Sequence, residues 1–502
     1  MTAPCGRAQK RQSQFHLHGF RLIIWPRDIC RWPGHALVHT SGMPPVTTRL
    51  LEYLMSQRKR GKSRPRRKAN SAPPSLEDAL QLHLQGRTTE AESAYRRLIA
   101  VDPENANAWY LLSRLLHPLG RHSEALETIR RALAIRPDDP RALNDLGLMQ
   151  HEAGDLDEAA ACFTKLLELD PGDANATNNL GLVLKSQNRL EQASALFAEA
   201  VVRDPQNADA QCNLGNVRKN LNDPDGAAAA YRAALAINPG LLDVYPNLTA
   251  VLRRQGQLDE ASQVLSQWLE YEPDHPVARH LLAAGTSHAA PDRASADYVR
   301  AVFDEFAETF DEQLRQLEYR PSQLISAALQ QDIPTQEPTF DILDAGCGTG
   351  LCGELLKPYA RTLVGVDLSS KMLDHARQLG LYNELAEADL VDFLNSRTAM
   401  FDVVVSSDTF GYFGELQPAF AAVRQALRPD GLLICTVELA ADESEDTSSY
   451  QLMASGRYRH TRTYVETVLQ TNRFAIRSLD PGTLRLEAGQ PVECLVVRAV
   501  RG

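Results

Sequence analysis

The sequence predicts a multidomain chain, an all-α repeat superhelix followed by an α/β domain, and three observations predict it. Proline recurs every 34 residues from Pro103 to Pro273. Beyond about residue 298 the pattern changes to short apolar runs alternating with helical stretches, which is the signature of an α/β layer. A glycine-rich turn, Gly346-x-Gly348-x-Gly350, follows the first of those runs. The chain's 502 residues are enough for about three domains at roughly 150 residues each. The boundaries read as a basic, disordered tail over 1–71, repeats over 72–284, a small polar linker over 285–297 and the α/β domain over 298–502.

Composition narrows the class. Apolar residues at 43% and charged residues at 23% suit a chain that buries real cores, and no apolar run approaches the 18 or so residues of a membrane span. Eight scattered cysteines without a C-x-x-C pair argue against a disulfide framework or zinc ribbon and fit a reducing, cytoplasmic setting. No metal site is expected; His16 and His18 stand in the tail without partners. Residues 1–70 hold 15 Lys/Arg against Asp28 and Glu52 although the net charge is -11, so the remainder is strongly acidic and poorly suited to phosphate. In 58–68 eight of eleven residues are Lys or Arg. Such a run reads first as a solvated tail, with loose RNA contact, an acidic partner or a transit peptide as alternatives. Met55 is an alternative start of translation.

The repeats come next. Twelve residues before each proline stands Ala91, Ala125, Ala159, Ala193, Ala227 or Ala261, and twelve earlier a small residue: Ala79, Ser113, Gly147, Gly181, Gly215 or Thr249. Two antiparallel helices per unit account for this, since small residues let the backbones approach and proline stops the second helix. Gly86, Gly120, Gly154 and Gly256, with Asn188 and Asn222 in the same register, are placed to end first helices in a left-handed conformation. Tyr95, Phe163, Phe197 and Tyr231 recur as packing knobs. This pattern over about 72–275 closely resembles the tetratricopeptide repeat, and 277–285 continues it for one capping helix. The resemblance implies a right-handed superhelix whose concave side grips a protein or peptide. Asp145, Asn179, Asn213 and Asn247 share one slot on successive first helices. They resemble the asparagine ladder of O-linked N-acetylglucosamine transferases, which implies a peptide groove; a merely wet face gives the same pattern.

In the α/β part, strands are expected at 340–344, 363–367, 383–389, 401–408 and 431–438, with extended pieces at 475–479, 483–487 and 493–500 whose ending favours an antiparallel last strand. Acids close the first three: Asp344, Asp367 and Asp389. The G-x-G-x-G spacing is not the dinucleotide G-x-G-x-x-G, so less helix N-terminus faces a pyrophosphate. Asp344 would repel phosphate and suits a cationic amino-acid ligand. Asp367 is placed for ribose hydroxyls and Asp389 for an adenine amino group.

Residues 340–500 therefore resemble the class I S-adenosylmethionine-dependent methyltransferases, with a Rossmann-like fold. The resemblance implies that Asp344, Ala345, Gly346, Cys347, Gly348, Thr349 and Gly350 cradle the methionine part. Asp367 and Leu368 would hold the ribose, and Asp389 with Leu390 the adenine. Residues 299–314 resemble the helix that precedes the core in methyltransferases of small molecules, where an aromatic-Asp pair covers the cofactor; here it is Phe310-Asp311, with phenylalanine in the place of the commoner tyrosine. The chain from 72 on resembles uncharacterised bacterial tetratricopeptide-repeat methyltransferases.

Methyl transfer demands alignment and exclusion of water, and a base only when the acceptor arrives protonated. No D/N-P-P-Y/F motif and no Pro-Cys pair follows the fourth strand, against amide, exocyclic-amine and cytosine C5 acceptors. Tyr412 and Phe413 after that strand are expected to face the acceptor, with Tyr412 and His460 as the catalytic candidates. His460 reads first as a surface or capping histidine, His375 as structural, and Cys347 as a small residue fitted between glycines. Arg457 and Arg459 read either as holders of an acidic acceptor or as solvated arginines. The expected function is a methyltransferase whose repeats recruit a protein or peptide, the acceptor being a small molecule or the recruited chain. The alternative is an interaction scaffold with an inactive methyltransferase-like domain.

Overall fold

The computed structural model describes residues 74–285, 290–317, 319–440, 449–487 and 490–502. The basic tail, His16, His18 and Met55 lie outside the described residues. Contacts divide the chain between Val251 and Leu252.

The repeats are helical pairs: α1 (Leu76–Leu84) with α2 (Thr88–Val101), α3 (Ala106–Leu116) with α4 (His122–Ile135), and α5 (Pro140–Ala153) with α6 (Leu156–Leu169). They continue as α7 (Ala174–Ser186) with α8 (Leu190–Arg203), α9 (Ala208–Asn220) with α10 (Pro224–Ile237), and α11 (Val244–Arg254) with α12 (Leu258–Tyr271). The small slots have a steric cause. A Cβ on Gly147, Gly181 or Gly215 would lie 2.7, 2.8 or 2.5 Å from the ring of Phe163, Phe197 or Tyr231. In the same register Ser113 and Thr249 accompany the slimmer Ile129 and Leu265. Asn188 and Asn222 take left-handed φ of 59° and 61°, as the glycines at the equivalent turns do. Two residues past the repeat proline, Asn105, Asp139, Asp173 and Asn207 cap α3, α5, α7 and α9, each side chain accepting a backbone N–H of the first turn. This second 34-residue periodicity was not singled out in the sequence.

The second body begins with the end of α11, α12 and α13 (Pro276–Gly285), so the last repeat segment belongs with the α/β part by contact. Then follow α14 (Ala296–Phe306), α15 (Phe310–Gln316) and α16 (Pro321–Asp332). The core alternates β1 (Phe340–Ala345), α17 (Gly353–Leu356), β2 (Ala360–Asp367), α18 (Ser370–Leu379), β3 (Glu384–Glu387), α19 (Leu390–Asn395), β4 (Phe401–Ser406), α20 (Gln417–Ala426) and β5 (Leu427–Glu438). A short hairpin, β6 (Tyr450–Leu452) and β7 (Tyr458–His460), precedes α21 (Arg462–Thr471), β8 (Phe474–Glu487) and β9 (Gln490–Arg501). The sheet order is β3-β2-β1-β4-β5-β9-β8, parallel through β5 and antiparallel at β9 and β8. The strand order reverses between β1 and β4, and ligands of such sheets sit outside the strand ends at that switch.

Three expectations need adjusting. The pieces at 475–479 and 483–487 are one bulged strand, β8. The stretch around 458–460, not among the expected strands, pairs as β7. Residues 290–295 are no free linker. The amides of Gly414 and Glu415 donate to the Asp292 carbonyl at 2.8 and 2.7 Å, and Ala294 N donates to Tyr412 O at 2.9 Å; Tyr458 Oη donates to Pro291 O at 2.7 Å.

Candidate functional site

One cavity opens at the switch point, and the expected cofactor loop forms its floor. Gly346, Cys347, Gly348 and Thr349 line it together with Asp344, Asp367, Leu368, Asp389 and Leu390. Ala345 and Gly350 support the loop from behind: the Ala345 carbonyl accepts from Ser406 Oγ at 2.9 Å, and Gly350 packs toward Leu379. Gly346 has φ +77°, and a Cβ there would sit 2.1 Å from Thr409 Oγ1. Only glycine fits, because both the backbone region and the space exclude a side chain.

The strand-end acids differ in state. Asp344 is fully buried and accepts from Tyr382 Oη at 2.7 Å. Burial, reinforced by the Asp367 charge and opposed by the tyrosine bond, pushes its carboxyl up to about 7. A buried carboxylate without a cation suits the ammonium of an amino-acid ligand. Asp367 accepts from Gly348 N and Ser369 N, both at 2.9 Å, and burial raises it despite those bonds. Asp389 is already the N-cap of α19, bonded to Val391 N and Asp392 N at 3.0 and 3.3 Å, and pairs with Arg293 at 3.1 Å. Its spare capacity for an adenine amino group is correspondingly smaller.

Two helices close the cavity, each tied to a loop after one of the first two strands. Thr349 Oγ1 donates to Asp311 Oδ1 at 2.8 Å, which gives Asp311 of the Phe310-Asp311 pair a contact of its own. Ser369 Oγ donates to Asp304 Oδ1 at 2.5 Å, an anchor that the sequence did not announce. Phe303 stands edge-on to both Phe310 and Tyr412, at 5.9 and 5.5 Å.

The other end is polar and charged. Tyr412 and Phe413 line it, as expected of residues after β4. Arg457 is buried, not solvated, and its guanidinium lies 4.8 Å over the Tyr412 ring. Its Nε donates to Glu438 and its Nη2 to Asp408. Arg485, also buried, donates to Glu438 at 2.8 Å and Glu487 at 2.6 Å. Burial alone would raise Glu438, but Arg457 and Arg485 outweigh it and hold the carboxyl at about 2. Asp408 has a left-handed φ of 60°, a strained conformation for a side-chain-bearing residue that functional sites often hold. Arg485, Glu438 and Asp408 were not candidates in the sequence.

His460 does not belong to this wall, nor to the surface. It is fully buried, its Nε2 donates to the Gly414 carbonyl at 3.0 Å, and burial pushes it down to about 4. It does not line the cavity. Cys347 is buried with its thiol raised by burial, the opposite of an activated nucleophile. Among the described residues no His/Cys/Asp/Glu group is arranged to hold a metal ion.

In the repeats, the expected ladder is a chain of side-chain bonds. Tyr110 donates to Asp145 at 3.0 Å and Asn144 to Asp145 at 3.3 Å. Asn179 donates to Asn144 at 3.2 Å and Asn213 to Asn178 at 3.0 Å. Asn247 takes Lys219 at 2.8 Å and donates to Asp243 O at 2.9 Å. Each amide spends part of its capacity on the chain itself.

Comparison with known proteins agrees with this anatomy. Residues 343–435 match the family model of a methyltransferase domain, and residues 85–140, 119–174, 150–214 and 221–285 match models of tetratricopeptide repeats. Methyltransferase-like protein 27 of Homo sapiens is 36% identical over 121 residues, 24% of this chain and 48% of that protein. The malonyl-[acyl-carrier protein] O-methyltransferase of Serratia marcescens is 27% identical over 140 residues, 26% of this chain and 54% of that protein. The chain spans about half the length of these curated relatives. The solved structure of a thermophilic TPR protein in Thermus thermophilus is 26% identical over 36% of this chain and 98% of its own, with a TM-score of 0.30. The chain carries tetratricopeptide repeats followed by a methyltransferase domain. Among the described residues no helix is long and apolar enough to cross a membrane.

Proposed function

We propose that the chain is an S-adenosylmethionine-dependent methyltransferase whose repeats recruit a protein or peptide, and that the acceptor is a small molecule taken into the cavity closed by α14 and α15. The observation that carries this reading is convergence: Asp344, Gly346 to Thr349, Asp367 and Asp389 line one cavity together with Phe303, Phe306 and Phe310. The site fits the cofactor, because a buried carboxylate without a cation waits where an ammonium would lie and a glycine stands where any Cβ would intrude. Bound there, S-adenosylmethionine supplies an electrophilic methyl group. Asp344 holds the amino-acid end, Asp367 the ribose and Asp389 with Leu390 the adenine. Phe303, Phe306 and Phe310 exclude water, and Tyr412 borders the acceptor. The enclosure favours a small acceptor over a polypeptide, and Asn213 and its neighbours in the repeats are left to bind the partner. The setting we expect is cytoplasmic.

Calorimetric titration of the chain with S-adenosylmethionine, beside Asp367→Ala, tests the reading. One-to-one binding that weakens in the variant supports it. No heat and no thermal shift from a folded sample would leave an interaction scaffold with an inactive domain.

A further inference from the structure

The acceptor end of the cavity has two properties that together select a chemistry. The first is a fixed donor with capacity to spare. Arg457 spends Nε on Glu438 and Nη2 on Asp408 and lies beside the Tyr412 hydroxyl, while its Nη1 has no carboxylate or carbonyl partner among the described residues, and the side chain borders the cavity. The guanidinium cannot swing away, since two carboxylates and the Tyr412 ring hold three of its sides. Such an N–H in a cavity that Val299, Val302 and Leu314 also line calls for an oxygen acceptor, and a charged one makes the stronger bond.

The second property is the lack of a free base, Asp344 being given to the ammonium of the cofactor. Among the described residues that line the cavity there is no histidine and no lysine. Asp408 is clamped by Arg457 and Arg485, and Glu487 by Arg485. Glu305 is exposed on α14. An acceptor that needs deprotonation is poorly served here; one that arrives already ionised is not.

We infer that the methyl acceptor is a small carboxylic acid with an apolar body, its carboxylate seated on Arg457 Nη1. This rests on the methyltransferase reading. One carboxylate oxygen attacks the methyl carbon as the carbon–sulfur bond breaks; the electron pair of that bond stays on sulfur, the product is a methyl ester, and no proton is released. Arg457 orients the acid through the oxygen that does not react, so the arginine also rejects an ammonium of the same shape.

The test uses the full chain saturated with S-adenosylhomocysteine and three probes of one shape: phenylacetate, phenylacetamide and phenethylamine, titrated by calorimetry. The expected result is binding of phenylacetate at least about tenfold tighter than the amide, the size of a lost charged hydrogen bond, with no binding of the amine. Arg457→Gln should bring acid and amide within about threefold of each other. Because that substitution also breaks two buried ion pairs, the probes on the unaltered chain decide the matter by themselves. Equal or tighter binding of the amine, or no binding of the acid at tens of millimolar, overturns the acceptor assignment alone. Failure of S-adenosylhomocysteine to bind overturns the methyltransferase reading and this inference with it.

Discussion

At Asp344 the consequences of burial run through both stability and binding. The folded chain holds this proton up to about pH 7, whereas an unfolded aspartate releases it near roughly 3.9. The folded state therefore binds the proton more tightly, and its stability falls as pH rises between those two values. Asp344→Asn removes the penalty. Without ligand, the variant should be more stable than the parent at pH 8 by on the order of 2–4 kcal/mol and nearly equal to it at pH 4, as urea titrations at the two pH values would show. The same variant should lose S-adenosylmethionine binding, because an amide offers the ammonium no charge. A stabilised variant that binds normally would refute the role given to Asp344. Gly346 poses the complementary steric case. Its alanine would meet Thr409 Oγ1 at 2.1 Å in a left-handed backbone, so Gly346→Ala should abolish binding of S-adenosylhomocysteine and lower Tm together.

At the scale of elements, the repeat pairs are held by matched shapes, and the match predicts a rescue. Gly215→Ala drives a Cβ to 2.5 Å from the Tyr231 ring, an overpacking that costs about 1–3 kcal/mol. The chain already shows how the slot is relieved, since Thr249 accompanies Leu265 in the same register. Gly215→Ala with Tyr231→Leu should recover part of the loss, and a thermal-melt double-mutant cycle with no coupling would show that slot and ring act independently. Asp173→Ala, which removes the cap of α7 from Asn175 N and Ala176 N, should cost about 1 kcal/mol. Much of this level was legible in the sequence because a helical pair repeated at fixed spacing turns each packing demand into a column of identical residues. The glycine turn and the acids at strand ends were legible for a related reason, being local to single strand-to-helix connections. The β6–β7 hairpin was not, since three-residue strands leave no alternation to read. The ladder amides were visible as a column, but their bonds to Asn144 and Asn178 were not, because those partners lie on the neighbouring column.

For the molecule as a whole, the features hidden from the sequence are those assembled from distant segments. Asp408, Glu438, Arg457 and Arg485 come from four separate segments, and each by itself reads as a solvated charge; burial in one network joins them, and Asp408 and Arg457 border the cavity. The last repeat helix is a second such case. Val277 of α13 borders the cavity. His280, on the same helix, donates from Nε2 to the Gly456 carbonyl at 2.8 Å, and its ring stacks on Tyr298 at 3.9 Å and 25°. Gly456 has no room for a side chain, with Tyr298 Oη 2.6 Å from where its Cβ would be, so Tyr298 is gripped between α13 and the turn that delivers Arg457. A contact that fixes both Tyr298 and Gly456 positions the proposed acceptor end without touching the glycine turn. His280→Ala should therefore raise hydrogen exchange several-fold in 296–306 and 453–460 while leaving 174–186 unchanged. It should also weaken phenylacetate binding to the S-adenosylhomocysteine-loaded chain by about tenfold, with S-adenosylhomocysteine affinity held within about twofold. Unchanged exchange in both segments would reduce α13 to a cap on the repeats. Parallel loss of both ligands would instead place its effect on the fold as a whole.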